Sequence, residues 1–254
     1  NPATTRGLRS GLGRAHTCAS TVACQPALQN HVTMNPSPLL SDPLPIDPFG
    51  LFVDWFAEAG ARRVQPNPDA MVVASVDADG SPSARVVLCK QVIAAPGYVV
   101  FFTNYQSRKG RAIASTPRAA AVFHWDGLSR QVRLEGPVVR SPAEESDAYF
   151  ATRPVASRLG AWASRQSEPL GSRAELAQQV EAAARRFGID PGATEGAVPR
   201  PPHWGGFRLW PDAMELWVEG PGRVHDRARW TRPLTPDTAF GYLCGPWSGT
   251  RLNP

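Results

Sequence analysis

The sequence contains few of the residues that build metal centres and disulfide frameworks. Its 254 residues include five histidines and four cysteines, which are Cys18, Cys24, Cys89 and Cys244. Neither set has the paired spacing of a zinc site, and the cysteines form no recognisable disulfide framework. We therefore predict no metal, and we expect a reducing compartment.

Several sequence motifs are also absent. The chain has no Gly-rich dinucleotide fingerprint, no phosphate-binding loop and no Gly-x-Ser-x-Gly elbow, which argues against the common nucleotide-binding and hydrolase sites. No apolar stretch approaches the ~18 residues that a membrane-spanning helix needs. These absences favour a cytoplasmic protein.

The charge balance is basic, with 27 Lys and Arg against 22 Asp and Glu and a net charge of +5. An excess of this sign favours anionic partners, which include nucleic acids, acidic membranes and phosphorylated small molecules. The basic residues form neither a run nor a helical stripe, so a nucleic-acid interface is only weakly supported. Phosphorylated small molecules are the better-supported class.

Residues 1–46 are rich in Pro, Ser, Thr and Ala and show no apolar periodicity, which predicts a disordered extension. No acidic residue precedes Asp42, whereas three arginines do. This composition is similar to an organelle transit peptide over residues 1–33. The alternative is an extension without function, with Met34 as the true start. We expect the functional domain to span residues 47–254.

From residue 47 onward, short β-rich segments alternate with a few helical ones. Asp47 is a good N-cap for a helix that Gly60 would end, and Asp77–Gly80 is a turn typical of a hairpin. Ser141 and Ser172 each begin a capping box, which predicts a helix after each of them. The pattern predicts a mainly β (α+β) fold, an antiparallel β-barrel with peripheral helices. The expected strands are 71–76, 84–90, 98–103, 119–125, 131–139, 204–210, 214–218 and 223–230.

The segment 84–90 carries a cation near each end. Four apolar residues lie between Arg85 and Lys90, which suits a strand that is covered on both faces. The two cations are five positions apart and should point to opposite faces. Each needs an anion if it is buried. The alternative is that both are edge charges that reach solvent.

Two further sets of residues could bind anions. Ser107 can cap a short helix whose first turn carries Arg108 and Lys109, and cations there oppose the helix dipole unless an anion binds. The alternative is two solvated side chains. Tyr149, Arg153 and Ser157 could form a phosphate clamp, although Pro154 should break the helix between them. Alternatively, Tyr149 is a core residue and Arg153 makes a surface pair.

A fourth set lies near the C-terminus. Strand alternation over 223–230 would place Arg223, His225 and Arg227 on one face, where they need an anion. Together the four sets suffice for two phosphates, which suggests a cofactor and a substrate. The many Trp residues offer flat surface for an aromatic ring system.

Residues 47–254 resemble the pyridoxine (pyridoxamine) 5′-phosphate oxidase family of FMN enzymes. The order and spacing of the shared motifs together make the resemblance specific. The motifs are Arg85-Val86-Val87-Leu88-Cys89-Lys90, Phe102-Thr103-Asn104, Ser107-Arg108-Lys109, Arg130-Gln131-Val132, Tyr149-Phe150-Ala151-Thr152-Arg153-Pro154, Gln166-Ser167, Trp204-Gly205-Gly206-Phe207-Arg208, Glu215-Leu216-Trp217, Arg223-Val224-His225-Asp226-Arg227 and Arg251-Leu252-Asn253-Pro254.

The resemblance implies a split-barrel homodimer that binds FMN between its subunits. It implies oxidation of pyridoxine or pyridoxamine 5′-phosphate to the aldehyde, with oxygen reduced to hydrogen peroxide. Arg223 and His225 would lie over the pyridine ring as catalytic residues. The implied substrate-binding residues are Lys90, Tyr149, Arg153, Ser157, Arg223 and His225. The implied FMN-binding residues are Arg85, Val86, Val87, Leu88, Lys90, Phe102, Thr103, Arg108, Lys109, Gln131, Gln166, Ser167, Trp217 and Arg227.

Three departures from the family pattern keep other functions open. Cys89 replaces an aliphatic residue, the region before Asp47 lacks an Arg-x-x-Tyr segment, and residues 231–246 are unlike the usual pattern. The alternatives are a related flavin oxidase of the phenazine-pathway type, a non-enzymatic flavin-binding split barrel, and a basic nucleic-acid binder.

Overall fold

Buried and more exposed side chains alternate along the strands of this chain. In the strand Arg118–Trp125, the side chains of Ala119, Ala121, Phe123 and Trp125 are buried, and those between them are not. The computed structural model describes residues 39–190 and 192–254. The strands in these ranges are β1 (Ala70–Val76), β2 (Pro82–Ile93), β3 (Tyr98–Asn104), β4 (Arg118–Trp125), β5 (Arg130–Arg140), β6 (Trp204–Leu209), β7 (Ala213–Val218), β8 (Asp226–Thr231), β9 (Leu234–Thr238), β10 (Gly241–Cys244) and β11 (Ser248–Leu252).

Six of these strands close into an antiparallel barrel in the order β5-β4-β1-β2-β3-β6. The barrel closes because the end of β5, at Val138–Arg140, pairs with β6. The first half of β5 also pairs with β7, and β8 and β11 continue that sheet outward. β9 and β10 form a separate hairpin. The predicted fold class, an antiparallel split barrel with peripheral helices, is confirmed.

The helices begin largely where the sequence predicts them. Asp47 caps the first helix by accepting a hydrogen bond from Phe49 N at 2.8 Å. The helix continues through Gly60, and Arg63 then takes the left-handed conformation with φ of 49°. The prediction that Gly60 ends this helix was therefore wrong. The helices are α1 (Pro48–Arg62), α2 (Arg108–Ser115), α3 (Ala143–Ala151), α4 (Val155–Ala163) and α5 (Arg173–Arg186).

The apolar face of α1 packs against the barrel and forms the centre of the core. Phe52 is fully buried, with its ring centroid 5.2 Å from that of Phe123 and 6.5 Å from that of Trp125. Burying a side chain of this size contributes roughly 1.5–3 kcal/mol. This core holds the strands that carry the site residues in fixed register.

The residues just before α1 also contact the core. Leu40 is buried, and its N–H donates to Asp226 Oδ2 at 2.7 Å. Ordered contacts therefore begin before Asp47. The predicted disorder and targeting role of residues 1–38 lie outside the described residues.

Among the described residues, no helix has both the length and the apolar character needed to cross a membrane. No group of three or more His, Cys, Asp and Glu residues there is arranged to hold a metal ion.

Candidate functional site

A cleft of about 880 Å³ lies between β2, β3, the start of α2 and the α3–α4 region. Its volume is within the range of small-molecule sites. Most of the predicted site residues line it. They are Arg85, Val86, Val87, Leu88, Lys90, Phe102, Thr103, Arg108, Lys109, Tyr149, Arg153, Ser157, Gln166 and Ser167.

One face of β2 is open in this chain. Val86 is 65% exposed and Leu88 is 37% exposed, whereas Cys89 is buried. The expectation that this strand is covered on both faces was therefore wrong for a single chain. Val72 lies opposite Val86 in the ladder and is 40% exposed, so the open face is apolar and spans two strands.

Arg85 and Lys90 both line the cleft, although strand alternation predicted opposite faces. The register shifts between Cys89 and Gln91, which puts Lys90 at a bulge. A bulge interrupts the alternation of side chains, so counting positions along the strand does not separate these two cations.

The guanidinium of Arg85 is held by neutral groups. Its Nη1 donates to Ser75 Oγ at 2.8 Å, and its Nη2 donates to Ser83 Oγ at 2.6 Å. Burial, and then the nearby charge of Arg108, lower the pKa of Arg85. Its positive charge thus remains available to a ligand in the cleft.

Lys109 is the most deeply buried cation of the cleft, at 9% exposed. Its Nζ donates to Thr103 Oγ1 at 3.0 Å, Gln166 Oε1 at 3.1 Å and Ser107 Oγ at 3.3 Å. Burial, and then the charge of Arg85, lower the pKa of Lys109 to about 8. No carboxylate in the described part of the chain forms an ion pair with it, so its charge is unneutralised.

The local sequence explains why Lys109 lies here. Ser107 caps α2, with its Oγ accepting from Gly110 N at 3.3 Å, and no acidic residue follows in the first turn. The free N–H groups of a helix start attract anions. The chain contains two lysines, Lys90 and Lys109, and both line this cleft.

Two other cleft cations already have carboxylate partners. Lys90 Nζ lies 2.6 Å from Asp69 Oδ2, and Arg108 bonds Asp77 Oδ2 through Nε at 2.8 Å and Nη2 at 2.7 Å. Both pairs are partly exposed, and such pairs are worth only about 0–1 kcal/mol. An incoming phosphate can therefore displace either carboxylate.

Arg153 lies between α3 and α4 and lines the same cleft. Its Cζ is 4.7 Å from the Trp204 ring centroid and 5.5 Å from that of Phe150. Its Nη1 is buried and lacks a hydrogen-bond partner among the residues that the structure describes. Burial lowers the pKa of this guanidinium. The alternative reading of Arg153 as a surface ion pair was wrong.

Three aromatic rings lie parallel beside Arg153. The Phe102 ring centroid is 4.0 Å from that of Tyr149 and 5.6 Å from that of Trp204. Pro154 ends the run of helix between Tyr149 and Ser157, as the sequence predicts, and both residues line the cleft.

The remaining predicted residues form a second cluster on β5, on β7 and on residues 223–227, which lead into β8. Gln131, Trp217 and Arg227 are neighbours across three adjacent strands. Arg227 Nη2 donates to the buried Glu215 at 2.9 Å. None of Gln131, Trp217, Arg223, His225 and Arg227 is among the residues that line the cleft of the single chain.

Arg223 does not lie on a strand, so its predicted alternation with His225 and Arg227 was wrong. Residues Pro221–Arg223 form a 3-10 turn, Arg223 has φ of 65°, and β8 begins only at Asp226. The backbone of this turn approaches itself so closely that a Cβ at Gly220 would clash with the carbonyl oxygen of Val224.

His225 packs on Trp217, with ring centroids 4.7 Å apart. The Gly220 N–H donates to His225 Nδ1 at 3.3 Å. A neutral imidazole that accepts at Nδ1 carries its proton on Nε2. His225 therefore presents Nε2 as a hydrogen-bond donor.

The cleft thus contains three cations without carboxylate partners among the described residues, Arg85, Lys109 and Arg153, and Lys109 is the most deeply buried of them. Each charge-assisted hydrogen bond to an anion contributes roughly 1.5–3 kcal/mol. The fold and the site define a split barrel whose cleft is suited to small anionic ligands.

Comparison with known protein families identifies the family of this chain. Residues 58–186 match the family described as pyridoxamine 5′-phosphate oxidase, and residues 204–254 match the pyridoxine 5′-phosphate oxidase C-terminal dimerisation region. The chain belongs to the pyridoxamine 5′-phosphate oxidase family.

Individual relatives support the same assignment. The chain is 50% identical over 208 residues to a pyridoxine/pyridoxamine 5′-phosphate oxidase of Burkholderia lata, covering 82% of this chain and 89% of that protein. It is 48% identical over 222 residues to a protein of that name from Bordetella petrii, covering 86% and 94%.

Solved structures extend the comparison to the fold. PhzG from Burkholderia lata 383, in complex with tetrahydrophenazine-1-carboxylic acid, has a TM-score of 0.73 and 29% identity, with coverage of 87% of this chain and 100% of PhzG. A pyridoxamine 5′-phosphate oxidase-related, FMN-binding protein from Nostoc punctiforme has a TM-score of 0.57 and 15% identity, covering 81% and 96%.

Sequence reasoning missed several residues that contact the site. Asp69 and Asp77 pair with Lys90 and Arg108, and Trp204 lies under Arg153. The aspartates carry no local signal, because the ladder and helix packing bring them to their partners. Trp204 lies within a recognised motif, but nothing in its neighbours along the chain predicts Arg153 above it.

Proposed function

We propose that this chain is an FMN-dependent oxidase that converts pyridoxine 5′-phosphate and pyridoxamine 5′-phosphate to pyridoxal 5′-phosphate. The observation that carries the proposal is the single cleft lined by most of the predicted cofactor set and by the predicted phosphate clamp. Lys109 and Arg153 both lack carboxylate partners among the described residues, which suits two separate phosphates.

The residues around Lys109 fit the phosphate of FMN. The Nζ of this buried cation is surrounded only by neutral oxygens, and the start of α2 adds N–H donors beside it. Arg85 and Arg108 line the same end of the cleft. We infer that these cations hold the phosphate of FMN.

The other end of the cleft fits the substrate phosphate. Arg153 has an unpaired buried Nη1, and Tyr149, Ser157 and Lys90 line the same space. A guanidinium, an ammonium and hydroxyl groups are the donors that phosphate monoesters prefer. A ligand with an aromatic ring would extend from this clamp along β2.

The second cluster is best explained by a homodimer. The chain carries the family's C-terminal dimerisation region, and the apolar face of Val72, Val86 and Leu88 beside the cleft is open. We infer that a second copy covers this face and brings its Gln131, Trp217, Arg223, His225 and Arg227 to the cleft. The complete site would then use residues of both subunits.

The proposed reaction oxidises the 4′ carbon. Pyridoxine 5′-phosphate and oxygen give pyridoxal 5′-phosphate and hydrogen peroxide; pyridoxamine 5′-phosphate, oxygen and water give the same two products and ammonia. FMN, when bound, supplies the two-electron chemistry that side chains lack. The protein binds both phosphates and orients the ring.

Arg223 and His225 are the proposed catalytic residues. The sequence suggested that they orient the substrate and assist proton removal. Because Gly220 N–H occupies His225 Nδ1, the neutral ring donates through Nε2 to the 4′ oxygen or nitrogen. His225 can accept a proton only after it changes tautomer or loses the Gly220 contact.

A second candidate is an oxidase of reduced phenazines, because PhzG shares 29% identity and was solved with tetrahydrophenazine-1-carboxylic acid. That ligand carries a carboxylate and no phosphate. A flavin-binding barrel without activity would keep the Lys109 end of the cleft but would not need the Arg153 clamp.

A peroxide assay tests these alternatives. We expect yellow protein with flavin absorbance that releases peroxide and aldehyde from pyridoxine 5′-phosphate under air, and far less from unphosphorylated pyridoxine. Peroxide formation from a dihydrophenazine carboxylate alone would favour the second candidate. A colourless protein that binds nucleic acid in a salt-sensitive manner would contradict both.

A further inference from the structure

Arg153 differs from two buried arginines that lie over aromatic rings, because its Nη1 has no hydrogen-bond partner among the described residues. Arg130 lies 4.8 Å from the Trp55 ring and forms an ion pair with Glu58 at 2.6 Å. Arg232 lies 4.4 Å from the Trp247 ring and donates to three backbone carbonyls. Arg153 has the aromatic contact without any carboxylate partner in the ranges that the structure describes.

The face of Trp204 attracts the cation of Arg153 without using its N–H groups. A cation over an indole ring interacts with the ring quadrupole, so the planar edge of the guanidinium remains free. A carboxylate in the same place would occupy those N–H groups and neutralise the charge. The edge of Arg153 is therefore available for two parallel hydrogen bonds to a phosphate.

Trp204 is itself held firmly. It is 7% exposed, lies within 10° of parallel to Phe102, and meets the edge of Phe150 at 5.0 Å. Its backbone pairs with Asn104 in the β3–β6 ladder. A platform of this kind orients the guanidinium before a ligand arrives, which lowers the entropy cost of binding.

We propose that Trp204 is a positioning residue for substrate phosphate: it holds the Arg153 guanidinium through its ring face so that the guanidinium edge points at the phosphate of the ligand. This inference rests on the proposed function for the identity of the ligand. It adds a residue that acts through Arg153.

The test compares Trp204→Leu with Trp204→Phe. We expect Trp204→Leu to raise the KM for pyridoxine 5′-phosphate by about 10-fold with little change in kcat, because a desolvated cation–π contact is worth roughly that factor. Trp204→Phe keeps a ring and should recover most of the affinity. The KM for unphosphorylated pyridoxine should not change. Trp247→Leu, which removes the ring under Arg232 outside the cleft, is the matched control.

A double-mutant cycle separates positioning from a general structural effect. In an Arg153→Met background, Trp204→Leu should have no further effect on KM, because its partner is gone. An equal loss in both backgrounds, or a loss of affinity for unphosphorylated pyridoxine as well, would overturn the proposal.

A binding measurement keeps this test independent of turnover. Without oxygen, the affinity of FMN-loaded protein for pyridoxal 5′-phosphate can be followed by tryptophan fluorescence in all four variants of the cycle. If the protein binds this ligand with the expected Trp204–Arg153 coupling but does not oxidise pyridoxine 5′-phosphate, the proposed function fails and the positioning role stands. If the protein oxidises pyridoxine 5′-phosphate but shows no coupling between Trp204 and Arg153, the proposed function stands and the positioning role fails.

Discussion

Lys109 Nζ and Gln166 Oε1 lie 3.1 Å apart and join two segments that are 57 positions apart in the chain. The contact ties the first turn of α2 to the segment that follows α4. Next to Gln166, Ser167 takes the left-handed conformation with φ of 73°. Lys109 is thus held by a neutral amide, and its charge is left for a ligand.

The first prediction concerns this charge. Lys109→Met should weaken FMN binding by about 10- to 150-fold, since a hydrogen bond to a charged group is worth roughly 1.5–3 kcal/mol. Titration of the apoprotein with FMN, followed by flavin fluorescence, measures the change.

Arg111→Ala is the matched control for Lys109→Met. Arg111 lies on the same helix, but it is exposed and pairs with Glu168 at 2.8 Å. We expect its removal to leave FMN affinity within a factor of about two, because exposed pairs contribute little. Equal losses in the two variants would mean that α2 attracts FMN only through its overall charge.

The second prediction is a pH dependence of FMN binding. Burial lowers the pKa of Lys109 to about 8 in the protein, from 10.5. The phosphate needs the charged form, so above pH 8 the free protein must take up a proton in order to bind. Affinity should therefore fall by up to about tenfold per pH unit between pH 8 and pH 10.

The same shift acts on stability with the opposite sign. Folding disfavours the charged form of Lys109 because burial lowers its pKa. Lys109 therefore lowers the free energy of unfolding most below pH 8, and this penalty disappears as the pH rises toward 10.5. Lys109→Met should abolish both effects. If the slope of affinity against pH persists in that variant, another group is responsible.

The third prediction tests the proposed catalytic role of Arg223. Arg223→Leu should lower kcat by about 100-fold or more, within the range for groups that assist proton transfer. FMN should remain bound, because Arg223 is proposed to contact the substrate and is not among the residues proposed to bind FMN. The yellow colour of the variant reports cofactor retention, and unchanged turnover would contradict the role.

The fourth prediction tests the homodimer. Val86 is apolar and 65% exposed in one chain. Val86→Asp should give a monomer, because burying an unpaired carboxylate in an interface costs several kcal/mol. Light scattering after gel filtration measures the mass. Ile46→Asp, at a residue that is 85% exposed and precedes α1, is the control. A dimer of unchanged stability in the Val86 variant would rule out this face as the interface.

Local sequence signals predicted much of the fold. The alternation of Ala119, Ala121, Phe123 and Trp125 marks β4, and Ser172 caps α5 through Glu175 N at 3.0 Å. Such features depend on neighbours a few positions away. They are therefore accessible without knowledge of the tertiary structure.

Other features depend on distant partners and were missed. The Ser141 capping box does not form, because Pro142 takes the cap position and the Ser141 hydroxyl contacts Glu145 instead. The strands β9, β10 and β11 were not predicted, since their pairing is set by β8 and by each other rather than by apolar alternation.

The site also has features that the sequence predicted and features that only the structure reveals. The resemblance named the residues that line the cleft, but only the structure distinguishes Lys109 and Arg153 from Lys90 and Arg108, which have carboxylate partners. That difference arises from the β1–β2 register and from the packing of α2. No count of charges along the sequence could reveal it.

The positions of the two lysines also affect how the protein can be digested. A protease that cuts only after lysine has two targets in this sequence, and both line the cleft. The folded chain should therefore resist such an enzyme until the barrel opens at that point. Its slow release of fragments 1–90, 91–109 and 110–254 would report how often the cleft unfolds locally.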